Sequence, residues 1–193
     1  MKLTGCKFLL EFIKDKKTVG AIAPSSSALA RKIVSHGNFS DASVVVEYGP
    51  GTGSFTAEIL SRLNNGTCFL TIEQNHTLAA HLRERFPDLL LFEDSVENVP
   101  RIIESIGHTE VDCIISGLPW ASFSPELQDR LLKPTLSVLR PGGTFCTFTY
   151  IQSPLLPSGK RFRKKLRKHF SEVSTSSIVW RNLPPAFVYR CIK

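Results

Sequence analysis

Val46-Glu47-Tyr48-Gly49-Pro50-Gly51-Thr52-Gly53 joins a β-branched run, Ser43 to Tyr48, to a pattern with Phe55, Ile59 and Leu63 at helical spacing. Glycines at such a strand-to-helix junction let the backbone turn sharply and let a ligand approach with no Cβ in the way. The spacing is GxGxG. A dinucleotide fingerprint would need its third glycine at position 54, which is Ser54. A pyrophosphate seeks a close seat at the helix N-terminus, and Glu47 would repel it. An acid beside the loop instead favours a cationic cofactor, which leaves NAD and a purely structural turn as the weaker readings.

Two more acids stand just past later strands. Glu73-Gln74 follows the run from Cys68, and an acid there can accept both hydroxyls of a ribose. Asp94-Ser95 follows Leu89 to Glu93 and can meet the exocyclic amine and ring nitrogen of an adenine. Each alone reads equally well as a solvated strand end. In order, each beyond a separate strand, they form a nucleoside site.

The remaining pattern alternates. Helices are predicted over Thr77 to Phe86, Val96 to Ile106 and Pro125 to Leu139, and strands over Val111 to Ser116 and Thr144 to Tyr150, the latter after an Arg140-Pro141-Gly142-Gly143 turn. A basic helix, Lys160 to Phe170, and strands over Glu172 to Trp180 and Ala186 to Cys191 close the chain. Strands alternating with helices imply an α/β, Rossmann-like, doubly wound and mostly parallel seven-stranded sheet with a C-terminal antiparallel hairpin. Ahead of it, Leu3 to Lys17 reads as an amphipathic helix with Phe8, Leu9, Phe12 and Ile13 on one face. A single domain is expected over 1–193, with 1–36 as a helical lid or membrane-contact segment and 43–193 as the core.

Composition limits the function. At 193 residues, 42% hydrophobic and 21% charged, the chain suits one globular domain. Its apolar runs are too short to span a bilayer, and Glu11 breaks the candidate core of a signal peptide. A cytoplasmic protein is expected. Cys6, Cys68, Cys113, Cys146 and Cys191 are scattered without a CxxC pair, and the histidines lack ligand spacing, so neither a disulfide framework nor a metal is implied. The net charge of +7 is local. Lys160, Arg161, Arg163, Lys164, Lys165, Arg167 and Lys168 account for it, and outside them 17 bases face 17 acids. One anionic surface met at one place is the natural partner. Phe162, Leu166 and Phe170 recur along the same helix, as in a helix lying in a membrane interface. The competing reading is that this stripe packs on the sheet.

Thr18-Val19-Gly20-Ala21-Ile22-Ala23-Pro24-Ser25-Ser26, the Glu47 to Gly53 loop, Ser116-Gly117-Leu118-Pro119-Trp120 and Trp180-Arg181-Asn182-Leu183-Pro184-Pro185 together resemble class I methyltransferases. The likeness is greatest to the bacterial phospholipid N-methyltransferase family, and it covers nearly the whole chain. That resemblance implies S-adenosylmethionine as cofactor, released as S-adenosylhomocysteine. It implies a substrate amine on phosphatidylethanolamine, its methylated forms or a related amino lipid such as an ornithine lipid. It also implies peripheral attachment to the inner face of the membrane, for which the amphipathic and charge patterns offer Phe8, Phe12 and the seven cations as contacts. Glu47, Gly49, Pro50, Gly51, Gly53, Glu73, Gln74, Asp94, Ser95, Ser116, Gly117 and Leu118 are then the cofactor-binding candidates. Ser116 and Tyr150 are the catalytic candidates, and Trp120, Tyr150 and Arg181 the substrate contacts.

The rival resemblance is to ribosomal RNA adenine dimethyltransferases. Their fourth motif opens with an Asn that helps hold the adenine amine, whereas this chain has Ser116-Gly117 before Leu-Pro-aromatic. The chain is also shorter than those enzymes with their appended helical domain, so nucleic acid is not the expected partner. The same motifs also admit a small-molecule methyltransferase, or a cofactor-binding or membrane-adaptor module without catalysis.

Overall fold

The structure, a computed structural model, describes residues 25–193. The helix expected over Leu3 to Lys17, with Phe8 and Phe12, lies outside them. The first described element is α1 (Ser27–Val34), capped by the Ser26 hydroxyl, which accepts from the Leu29 N–H. Then follow β1 (Val44–Tyr48), α2 (Ser54–Leu60), β2 (Cys68–Ile72), α3 (His76–Arg85), β3 (Leu90–Phe92), α4 (Val99–Ser105), β4 (Val111–Ser116), α5 (Pro125–Val138), β5 (Leu139–Tyr150), α6 (Pro157–His169), β6 (Glu172–Thr175) and β7 (Ala186–Ile192).

The strands form one sheet in the order β3-β2-β1-β4-β5-β7-β6. Strands β1 to β5 are parallel, while β7 runs antiparallel to both β5 and β6. This is the expected architecture. The order reverses between β1 and β4, and a doubly wound sheet binds its ligand at such a switch point, at the carboxyl ends of the strands. Side-chain alternation along β1 sends Val44, Val46 and Tyr48 into the core beneath α4, α5 and α6, and Val45 into the core beneath α1 and α2.

Three expectations are corrected. The Arg140 to Gly143 segment is a bulge inside β5 rather than a turn before it. Val111 pairs with Leu139 and Cys113 already with Thr144, so the intervening residues leave the ladder, and Gly142 sits at φ 74°. The strand expected to run to Trp180 ends at Thr175. Past a single bridge between Val179 and Ala186, the chain forms a projecting loop. Finally, the apolar stripe of α6 is not free for a membrane. Phe162, Leu166 and Phe170 are buried, Phe162 stacked on Trp120 and Phe170 on Phe145. Each such side chain contributes about 1.5–3 kcal/mol on burial. Among the described residues, no helix is long and apolar enough to cross a membrane.

Candidate active site

The loops after β1 and β4 meet at the switch point. The Gly117 N–H donates to the Tyr48 carbonyl at 2.8 Å, and the Gly49 N–H to the Ile72 carbonyl at 2.9 Å. A Cβ on Gly117 would lie 2.6 Å from the Gly49 carbonyl oxygen, so only glycine lets the two backbones touch. Gly51 has φ 59°, and a Cβ there would meet none of the described residues within 4 Å. It faces an open cleft, its left-handed backbone held by the loop.

Three carboxylates stand at or just past the carboxyl ends of β1, β2 and β3. Alternation puts Glu47 on the α2 side of β1, fully buried at the strand end. Its Oε2 accepts from the Thr56 hydroxyl at 2.7 Å, while Oε1 has no partner among the described residues. Burial is the main reason its pKa rises to about 8. The Thr56 bond opposes the shift, and the charge of Glu73 adds to it. Glu73 accepts the Gly51 N–H on Oε2 and the Asn75 N–H on Oε1, so its carboxylate is tied to the glycine loop. Its pKa is raised by burial against the pull of those backbone donors. Asp94 is half-buried. Partial burial pushes its pKa up, but Asn98, Ser95 and Arg101 outweigh that and hold it below the usual range. Ser95 caps the following 3-10 turn, accepting from the Glu97 N–H, and Gln74 lies half-buried beside Glu73.

The turn after β4 is built around Ser116. Its hydroxyl oxygen accepts the Trp120 indole N–H at 2.8 Å and the Leu118 N–H at 3.3 Å, and its carbonyl accepts from Thr147. Fully buried, that hydroxyl shapes the turn rather than facing a substrate. Trp120, expected to wall the pocket, is instead fully buried, between Phe145 and Phe162. Its aromatic bulk is worth more in the core than at the rim. Tyr150 is half-buried at the end of β5, its ring edge-on to Phe148. Burial raises its pKa, so the phenol keeps its proton at neutral pH and is no ready base. Arg181 is exposed on the projecting loop.

Two residues that organise the site escape sequence reading. Gln128, buried on α5, donates to the carbonyls of Trp120 and Phe123 and pins the β4 turn from behind. The signal that could have found it is a polar residue on a helix face otherwise made of Leu131, Leu132, Thr135 and Val138. Asn182, also buried, accepts the Ser26 N–H at 3.0 Å and donates to the Pro184 carbonyl at 2.8 Å. It ties the start of α1 to the projecting loop. In its motif the charge of the neighbouring Arg181 is the more conspicuous feature.

No family model matches the chain. A curated ornithine lipid N-methyltransferase of Singulisphaera acidiphila is 36% identical over 187 residues, covering 95% of this chain and 93% of that protein. This chain belongs to the ornithine lipid N-methyltransferase family. A ribosomal RNA small subunit methyltransferase A of Chlorobaculum tepidum is 30% identical over 125 residues, which is 65% of this chain but 44% of that enzyme. Among solved structures, an O-methyltransferase from Bacillus cereus in complex with SAH superposes with a TM-score of 0.65 at 14% identity. The superposition covers 100% of this chain and 93% of that one, and it shows the shared class I methyltransferase fold.

The protein is thus an S-adenosylmethionine-dependent methyltransferase of that family. The cleft fits the cofactor's chemistry. The open face of Gly51 leaves room, and the buried Glu47 oxygen that has no partner among the described residues suits a cation. A cationic ligand favours ionised Glu47, so binding should expel its proton. In the free protein Glu47 titrates at about 8 rather than near the unfolded 4.5. Its contribution to stability is therefore full below the unfolded value and is lost as pH rises toward 8. Cofactor affinity should run the opposite way, rising with pH until it levels off near 8. Calorimetry in buffers of different ionisation enthalpy checks this through the protons released. In Glu47→Gln the release should vanish and the pH profile should flatten.

Proposed function

We propose that this enzyme methylates the primary amine of a membrane-lipid head group, an ornithine-type lipid or phosphatidylethanolamine. The observation that carries the reading is the β4 turn. Aligned on Leu118-Pro119-Trp120, Gly117 falls where the RNA adenine enzymes place Asn, and the hydroxyl of the preceding Ser116 already accepts from Trp120 and Leu118. No carboxamide is offered there to grip an adenine amine. The identity to the ornithine lipid enzyme along nearly all of both chains supports the same reading.

In this mechanism Glu47 would balance the positive charge of the bound cofactor at the glycine loop, Glu73 would accept from its ribose hydroxyls, and Asp94-Ser95 would meet its adenine. Bound S-adenosylmethionine supplies an electrophilic methyl. The chain's part is to present a neutral amine in line with it. A primary amine has an ordinary pKa near 10 and arrives protonated. The apolar surround of Leu118 favours the neutral form, so the proton leaves toward solvent. The Gly117-Leu118 backbone, braced by Ser116, Trp120 and Gln128, orients the nitrogen, and positioning of this kind supplies much of a methyl transfer's rate. Tyr150 lines the exit as a neutral phenol.

Incubation with labelled cofactor, ornithine lipid, phosphatidylethanolamine and ribosomal RNA tests the reading. Label is expected in lipid, and label confined to RNA adenines would overturn it. We further propose that the exposed Lys160, Arg161, Arg163, Lys164, Arg167 and Lys168 draw the enzyme to an anionic bilayer at the inner face of the membrane. Lys165 is corrected out of this set. It is half-buried and bonded to Asp129 and the Pro125 carbonyl, where it ties α6 to α5. Charge reversal at Arg161, Lys164 and Lys168 should weaken sedimentation with anionic vesicles, and salt should weaken the wild type likewise. Indifference to both would remove the electrostatic part of the attachment.

A further inference from the structure

Four of the exposed large apolar side chains lie on two loops that leave the sheet side by side, at the carboxyl end of β5. Leu155 and Leu156, 76% and 51% exposed, follow the end of β5, while Trp180 and Leu183, 70% and 84% exposed, lie on the loop before β7. Tyr150 pairs with Ala186, and the Ile151 N–H donates to the Pro185 carbonyl at 3.1 Å, so both segments leave the sheet together. They do so at the carboxyl end of β5, the end at which the cofactor loop and the β4 turn also lie. Each loop is anchored from behind. Asn182 holds one to Ser26 and to Pro184, and Gly159 packs so tightly on the Ser153 carbonyl that a Cβ would come within 2.0 Å. The apolar tips therefore stay outside while their bases stay buried.

A soluble surface seldom leaves such side chains together without a partner. Their setting selects the partner. From Ile151 to Phe170 and from Ser176 to Pro185 no acidic residue occurs, and Arg181, Lys160 and Arg161 are the charges near the tips. Leucines at the tip, a tryptophan and flanking cations match the layering of an anionic bilayer, with its hydrocarbon, interface and head groups. We infer that Leu155, Leu156, Trp180 and Leu183 insert into the lipid interface and seat the mouth of the active site on the membrane. This rests on the lipid-amine reading above and adds to the cations of α6 an apolar contact that salt does not screen.

The tryptophans make the test direct. Trp120 is fully buried and Trp180 is exposed, so a change in the emission of Trp180 can be read against a constant background. With vesicles of phosphatidylglycerol and phosphatidylcholine, wild-type emission should shift to the blue and be quenched by brominated acyl chains. Leu155→Ser combined with Leu183→Ser should lower vesicle affinity on the order of tenfold at high salt, where the cations are screened. Its cofactor affinity and its rate on a short-chain, water-soluble lipid amine should stay at wild-type values. Emission that stays red and unquenched in vesicle-bound protein would overturn the insertion, as would wild-type vesicle affinity in the double variant. Quenching together with no transfer to any lipid amine would instead refute the substrate reading and leave the docking standing.

Discussion

A Gly51→Val protein is expected to fold and yet to lose S-adenosylmethionine. At φ 59° a β-branched residue is strained, and the left-handed backbone costs about 1–2 kcal/mol. Against a domain stability of about 5–15 kcal/mol that is tolerable. None of the described residues lies within 4 Å of the added Cβ, so no clash among them disrupts the fold. The isopropyl group would project into the open space proposed to hold the ligand, and the Gly51 N–H, now on a strained loop, would lose its seat against Glu73. Affinity by calorimetry should fall at least on the order of a hundredfold, with an unchanged circular dichroism spectrum. Unaltered binding in folded Gly51→Val would sink the assignment of the loop. Gly117→Ala makes the contrast. Its Cβ would press on a carbonyl oxygen instead of open space, so stability and binding should fall together.

Trp120→Ala should cost about 3–5 kcal/mol in denaturant unfolding, the range for deleting a large buried aromatic. The ring stacks on Phe162 at 5.5 Å and stands edge-on to Phe145 at 5.6 Å, so its loss opens a cavity between sheet and α6. It also strips one of the two donors from the buried Ser116 oxygen. Trp120→Phe separates the effects. It keeps most of the packing and loses the N–H, for a cost of about 1 kcal/mol from the bond with some packing loss besides. A Trp120→Ala protein as stable as wild type would show that the β4 turn does not depend on this ring. The alanine variant should also methylate more slowly, because the Gly117-Leu118 backbone is no longer braced.

Most of the sheet is legible in the sequence because its signals are local. Val111 to Ser116 shows its true ends, since a β-branched run between polar residues has a clear period and clear edges. The acids at 47, 73 and 94 are legible because strand ends in this fold converge on one edge. What is not legible depends on partners distant in sequence. Pro141-Gly142-Gly143 has the chemistry of a turn, yet Gly142 and Gly143 are held in β5 by Lys193, a residue local reading does not bring near. The amphipathic α6 looks the same whether its stripe meets lipid or Trp120, because periodicity reports a face and not what covers it. Trp120 and Ser116 share one motif, and only coordinates reveal that the first takes up the hydroxyl of the second. The exposed Trp180 follows from the early end of β6, a boundary of the kind that pattern reading places least well.

The contact between Gly117 and Gly49 sets a gauge. The glycine loop and the β4 turn are spaced by peptide against peptide, closed by the 2.8 Å bond from Gly117 to Tyr48, and not by side chains that substitution can trim or extend. On the proposed reading of the two loops, the distance over which a methyl group must travel is set by main chain. A change of head group can be accommodated along the outer loops, residue by residue, with that distance untouched. The same construction removes the option of widening the cleft a little, since any side chain at 117 moves both backbones at once. Selectivity and reach are thus separately adjustable in this fold, the first by ordinary substitution and the second hardly at all.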